Sequence, residues 1–150
     1  MKTCIIILAF ILMLAPFGAV AQTAPTLEEQ LTTLWKQANY TELRNLLNAK
    51  ISATPPDVVA LYCAKFFFVI VQPDKGKALA AVTKLKAVAD ATTDQVFVSF
   101  ANGELAEVQG IPDAEFTQPT PAILAALHTE FADQYPNLDV GVGLRKYKNP

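Results

Sequence analysis

Apolar residues recur at helical spacing in six successive segments of this chain, and that periodicity restricts the fold to helices packed on helices. In the first segment Leu27, Leu31, Leu34 and Trp35 fall on one helical face. The segments begin near capping residues or prolines and end at glycines, prolines or polar turns. We therefore expect an all-α fold of about six helices, arranged as stacked antiparallel hairpins or as an irregular bundle.

The expected helices have identifiable starts, and the third is the most apolar. The predicted N-caps are Thr26, Thr41 and Asp57, and the later helices are expected to start at Pro73-Asp74, Thr92-Thr93-Asp94 and Thr120-Pro121. The third runs from Asp57 to about Val71 and is apolar all round except for Lys65, which favours a central core helix. Its aromatic and β-branched end fits a strand equally well by periodicity. The sixth helix ends at Tyr135, and residues 137–150 form a short extended strand or a frayed tail.

Residues 1–21 have the three parts of a secretory signal peptide. Lys2 supplies the positive charge, residues 5–14 form an unbroken apolar run, and residues 19–21 read Ala-Val-Ala, a small-x-small cleavage motif. The apolar run is shorter than the ~20 residues that a membrane-spanning helix needs. We expect cleavage after Ala21, a periplasmic or secreted chain without a stable membrane anchor, and a helical domain over residues 22–136.

The composition and the reactive side chains argue against several classes of function. A net charge of −2 gives no electrostatic basis for binding nucleic acid. Cys63 is the only cysteine after residue 21, and its apolar neighbours indicate a buried side chain. His128 is the only histidine, and no ligand residue follows it one helical turn later. We expect no catalytic residue, no metal and no cofactor.

A repeat of helix–turn–helix units underlies the periodicity. The start of each second helix carries Leu43, Ala78 or Ala114, which are 35 and 36 residues apart. The first two units also place small, aromatic or closing residues at matching positions: Tyr40, Leu47 and Pro55, then Ala64, Phe67 and Val82. Over roughly residues 27–117 the chain resembles the tetratricopeptide family of helical repeats. An unrelated six-helix bundle fits the same pattern.

The resemblance implies a protein or peptide partner bound on the face lined by the first helix of each unit. It places Leu61, Lys65 and Phe68 on that face, where two apolar side chains flank one cation. That combination suits a peptide that carries a carboxylate. The alternative is that Leu61 and Phe68 belong to the core, because exposed apolar stripes are uncommon.

Two other functions stay open from the residues alone. A carrier of a small apolar ligand requires a cavity lined by aromatic side chains, for which the candidates are Phe66, Phe67, Phe68, Phe97 and Phe100. A hydrolase that uses two carboxylates is the more remote alternative, and its candidates are Glu104, Glu107 and Asp113.

Overall fold

The computed structural model describes residues 23–147 of the chain. The predicted signal peptide with its cleavage site and residues 148–150 of the predicted tail lie outside the described residues. Every regular element within residues 23–147 is helical, which confirms the predicted all-α class. None of the helices in this range has the length and hydropathy of a membrane span.

Seven α-helices follow one another in the described residues, where about six were expected. They are α1 (Leu27–Lys36), α2 (Tyr40–Ser52), α3 (Val58–Phe66), α4 (Lys75–Asp90), α5 (Gln95–Gly110), α6 (Pro121–Glu130) and α7 (Leu138–Gly143). α3 continues directly into a π-helical turn, Phe67–Val71. Short 3₁₀ turns, Asp113–Glu115 and Leu144–Lys146, follow α5 and α7.

Side-chain caps fix where most of these helices begin. Five residues at the predicted helix starts accept hydrogen bonds from the first-turn backbone N–H groups that lack intrahelical partners. They are Thr26, Asp57, Asp74, Asp94 and Thr120. The prediction for α2 is wrong by two residues, because Asn39 rather than Thr41 accepts the bond from the Glu42 N–H.

α3 is the central core helix, as predicted. It packs against α2, α4 and α7, and every residue from Val58 to Lys65 is buried. The strand alternative for its aromatic end is wrong, since residues 67–71 continue the helix as a π turn. A helix that is covered on several sides needs apolar residues all round, which explains why its sequence shows so little amphipathic pattern.

The hairpin prediction holds for two of the three units. α1 packs on α2, α3 on α4, and α4 on α5. Leu43 and Ala78 are fully buried, whereas Ala114 is exposed in the 3₁₀ turn that follows α5. The third unit therefore lacks a second helix within the described residues, and the tetratricopeptide resemblance stays a prediction.

α6 is shorter and more exposed than expected. It ends at Glu130 rather than at Tyr135, and it contains no buried residue. Ile123, one of the large apolar side chains of this helix, is 49% exposed. Beyond the helix the Phe131 carbonyl accepts a hydrogen bond from the Trp35 indole at 2.9 Å, so a tertiary partner replaces the next helical turn.

Residues 131–147, which we call the C-terminal segment, cover one side of α3. The part predicted to be a strand or a frayed tail instead forms α7 and a 3₁₀ turn, with Leu138 and Leu144 buried. Gly141 lies so close to α3 that a Cβ atom there would be 3.1 Å from Val59 Cγ1. Helical propensity did not reveal this six-residue helix because it contains two glycines.

Candidate functional site

Lys65, the predicted binding cation, is buried in an ion cluster between α3 and α5. Its ammonium pairs with the Glu104 carboxylate and lies 2.7 Å from Glu107 Oε2. The side chains of Lys65 and Glu104 are only 10% and 13% exposed, and that of Glu107 is 57% exposed. The cation that the sequence suggested as a binding group for a partner is therefore already paired with two carboxylates of the same chain.

The charge of Lys65 is stabilised by this cluster. Burial alone lowers the pKa of the ammonium, but the hydrogen bonds and negative charges of Glu104 and Glu107 outweigh burial, so the pKa of Lys65 lies above its ordinary value. The same surroundings raise the pKa of Tyr62, first through burial and then through the charge of Glu104. The Lys65 ammonium therefore keeps its proton near neutral pH.

The other two predicted binding residues are in the core. Leu61 is 0% exposed and Phe68 is 1% exposed, which corresponds to the core interpretation of these positions. The structure also separates Lys65 from Phe68, because Lys65 pairs with α5 whereas the Phe68 ring lies beneath Lys77 of α4, at 5.5 Å. In this conformation the three side chains do not form one exposed face.

The candidates for the two alternative functions are also distributed through the structure. Glu104 and Glu107 share Lys65, whereas Asp113 pairs with Lys75 at 2.6 Å, so the three carboxylates do not face one another across a cleft. Phe67, Phe68 and Phe97 are buried in the continuous hydrophobic core, and Phe66 and Phe100 pack against it.

His128 packs against aromatic side chains of α1 and α2. Its ring stacks on Trp35 with centroids 4.1 Å apart, and its Nε2 atom lies 2.7 Å from the Tyr40 hydroxyl. Burial raises the pKa of Tyr40, so the phenol stays protonated in this pair. Among residues 23–147 no three histidine, cysteine or acidic side chains are grouped as a metal would require.

The C-terminal segment covers the side of α3 that carries Val59 and Cys63. Tyr135 is fully buried, and its hydroxyl donates to the Cys63 carbonyl at 2.8 Å. Further along, Arg145 pairs with Glu28 of α1. This side of α3 is therefore closed by the chain itself and does not form an open surface.

An open pocket that the sequence did not single out lies where α2, the π turn and the start of α4 meet. We call it the Arg44 pocket; it has a volume of about 350 Å³. Its lining includes Arg44, Phe68, Gln72, Asp74, Lys77 and Gln118.

Charged and amide groups dominate this pocket. Lys77 Nζ lies 3.2 Å from Asp74 Oδ2. The hydrogen bond from the Lys77 backbone N–H lowers the pKa of Asp74, and the lysine side chain adds to the effect. Within the described residues the half-buried Arg44 has no ion pair or side-chain hydrogen bond, so its guanidinium donors remain available.

A sequence signal for Arg44 does exist. Arg44 and Arg145 are the only arginines in the chain, and no acidic residue lies three or four positions from Arg44 on its helix. Helical ion pairs form at those spacings, so an arginine without them is free to bind something else. Its neighbours Gln72 and Gln118 come from distant parts of the chain, and only the fold brings them together.

Comparison of the chain with protein-family models, with curated proteins and with solved structures found no match.

Proposed function

We propose that this chain is an exported, non-catalytic helical module that binds a protein or peptide partner, and that the partner presents a carboxylate to the Arg44 pocket. The observation that carries the proposal is a guanidinium without an internal partner at the edge of a cleft of about 350 Å³. The planar guanidinium presents paired N–H donors whose geometry matches a carboxylate. The signal-peptide pattern of residues 1–21 supports export.

The charges in the pocket suit a ligand with one negative charge. Arg44 and Lys77 are cationic, and Asp74 compensates one of those charges through its ion pair with Lys77. One positive charge is left, which a single carboxylate balances. The side-chain amides of Gln72 and Gln118 lie in the same lining and offer further hydrogen-bond donors.

The partner chemistry is the one that the sequence suggested, but the cation that binds the carboxylate is Arg44 instead of Lys65. Lys65 already has two carboxylates, and a third would have to displace one of them from a largely buried cluster. Arg44 requires no such exchange. Phe68, one of the predicted binding residues, lines the Arg44 pocket although its ring is almost completely buried.

A peptide library tests the proposal directly. The purified chain is incubated with short immobilised peptides that end either in a free carboxylate or in an amide. We expect binding to a subset of the free-carboxylate peptides and a loss of at least about tenfold in affinity for Arg44→Gln, since charged hydrogen bonds of this kind contribute that much.

Lys50→Gln is the matched control, because Lys50 is a half-buried cation of the same helix that does not line the pocket. This variant should bind as the unmodified chain does. Equal losses in both variants, or equal binding of free and amidated peptides, would contradict the assignment of the Arg44 pocket. Circular dichroism of both variants verifies that they remain folded.

A further inference from the structure

A second open surface, with charge opposite to that of the Arg44 pocket, lies on the first hairpin. A groove of about 430 Å³ runs between α1 and α2. Leu34 and Leu46 line it and are only partly buried, and the exposed Pro25 borders it. We call this surface the α1–α2 groove.

Two carboxylates border this apolar surface. Glu29 and Glu42 line the groove, and both are exposed. Glu29 accepts a hydrogen bond from the Thr26 backbone N–H at 2.7 Å as part of the α1 capping box. Within residues 23–147 neither carboxylate has an ion-pair partner, whereas the adjacent Glu28 is paired with Arg145. The groove therefore presents two uncompensated negative charges beside apolar side chains.

We infer that the α1–α2 groove binds a peptide segment in which apolar side chains are flanked by lysine or arginine. The apolar side chains would cover Leu34 and Leu46, and the cations would pair with Glu29 and Glu42 at the rim. An acidic segment is disfavoured because it would bring like charges together without a compensating cation. This site goes beyond the proposed function, because its ligand chemistry is the opposite of that expected at the Arg44 pocket.

The separation of the two sites makes them independently testable. Glu42 and Leu46 lie one turn apart on one side of α2, and Arg44, two residues from each, points away from that side. A substitution of Arg44 should therefore leave the groove intact. A negative binding result at one site therefore leaves the proposal for the other site unaffected.

The test uses a fluorescent 12-residue peptide composed of leucine, alanine and lysine, amidated at its C-terminus, together with a second peptide in which glutamate replaces lysine. Both are titrated with the purified chain and with the double variant Glu29→Gln/Glu42→Gln. Glutamine at position 29 can still complete the capping box, so this change does not remove the helix cap.

The double variant Glu115→Gln/Glu130→Gln is the control. It removes two exposed carboxylates that lie outside the groove and changes the net charge equally. We expect the lysine peptide to bind, the groove variant to weaken binding by about fivefold or more, and the control and Arg44→Gln to have no effect. The glutamate peptide should not bind.

Equal weakening in both double variants would show attraction to overall charge and would overturn the inference. Failure of the lysine peptide to bind, or comparable binding of the glutamate peptide, would also overturn it. Analytical sedimentation of the chain without peptide tests whether a second copy of the chain occupies the groove. A dimer disrupted by Glu29→Gln/Glu42→Gln would identify a second copy of this chain in the groove instead of a basic peptide.

Discussion

The Tyr135 hydroxyl donates a hydrogen bond to the Cys63 carbonyl oxygen at a distance of 2.8 Å, and both residues are fully buried. That carbonyl also accepts the backbone N–H of Phe67, at the point where α3 changes into its π turn. A second bond, from the Trp35 indole to the Phe131 carbonyl, holds the beginning of the same segment. The C-terminal segment is thus an integral part of the core and not an appendage.

Tyr135→Phe should lower the free energy of unfolding by about 1 kcal/mol, because it removes one buried hydrogen bond and leaves the ring in place. Tyr147→Phe is the control, since its hydroxyl bonds to Asp94 nearer the surface, and it should have the smaller effect. Urea denaturation of both variants measures the difference. The account of a tightly packed C-terminal segment fails if Tyr135→Phe is as stable as the unmodified chain.

Lys65→Met should destabilise the fold by about 3 kcal/mol, because it leaves the largely buried Glu104 carboxylate without its counter-ion. Lys86→Met removes an exposed pair with Asp90 one helical turn away and should cost well under 1 kcal/mol. Adding Glu104→Gln to Lys65→Met should restore part of the loss. If thermal unfolding shows Lys65→Met and Lys86→Met to be equally mild, Lys65 is not the structural cation described above.

Ala38→Gly should raise the free energy of unfolding by about 0.5–1 kcal/mol. Ala38 has a φ of 50°, the left-handed conformation that glycine adopts without steric cost. It occupies the usual glycine position at the end of a helix, with its N–H bonded to the Trp35 carbonyl. Ala53→Gly, at an ordinary φ of −63°, should instead lower stability. Chemical denaturation of both variants measures these changes in the free energy of unfolding, for which we expect opposite signs. A loss of stability in Ala38→Gly would contradict the account.

Helix boundaries could be predicted from the sequence where the determinants are local. Capping side chains such as Thr26 and Asp57 act within one turn of their own helices, and each begins its helix where predicted. The end of α6 and the fold of residues 137–147 depend on distant groups. The Trp35 indole and the close approach of Gly141 to Val59 are tertiary contacts that no periodicity reveals.

The candidate site shows the same division. The sequence identified Lys65 as an unusual cation in an apolar helix, but its partners Glu104 and Glu107 are 39 and 42 residues away and follow no local spacing. Burial of Leu61 could be anticipated from the apolar surroundings, and the core interpretation did so. The Arg44 pocket requires residues from α2, the π turn and the loop before α6, which only the fold brings together.

Stability should fall as the pH rises above about 8.5, the ordinary range of a cysteine thiol. Burial raises the pKa of Cys63, with the charges of Asp57 and Glu28 adding to the effect, and burial raises the pKa of Tyr135 well above its ordinary value. Both groups ionise first in the unfolded chain. Their contribution is therefore complete below the unfolded pKa and is lost as pH rises toward the folded pKa.

Between its unfolded and its folded pKa, each group lowers the free energy of unfolding by about 1.4 kcal/mol per pH unit. Cys63→Ala should remove most of the loss between pH 9 and 10 and keep the loss at higher pH, where Tyr135, Tyr62 and Lys65 act in the same direction. Urea midpoints at pH 7, 9, 10 and 11 under reducing conditions test this. A midpoint that stays constant from pH 7 to 11 would be incompatible with buried, protonated Cys63 and Tyr135.

The central claim, that a partner carboxylate binds beside Arg44, is tested most directly by ¹⁵N-resolved NMR. The free-carboxylate peptide that binds best in the library is titrated into the labelled chain. We predict that the largest shifts fall on the backbone and side-chain N–H groups of Arg44, Gln72, Lys77 and Gln118, and that the amidated peptide produces none of them. Shifts centred on Lys65 and α5, or identical shifts from both peptides, would contradict the account.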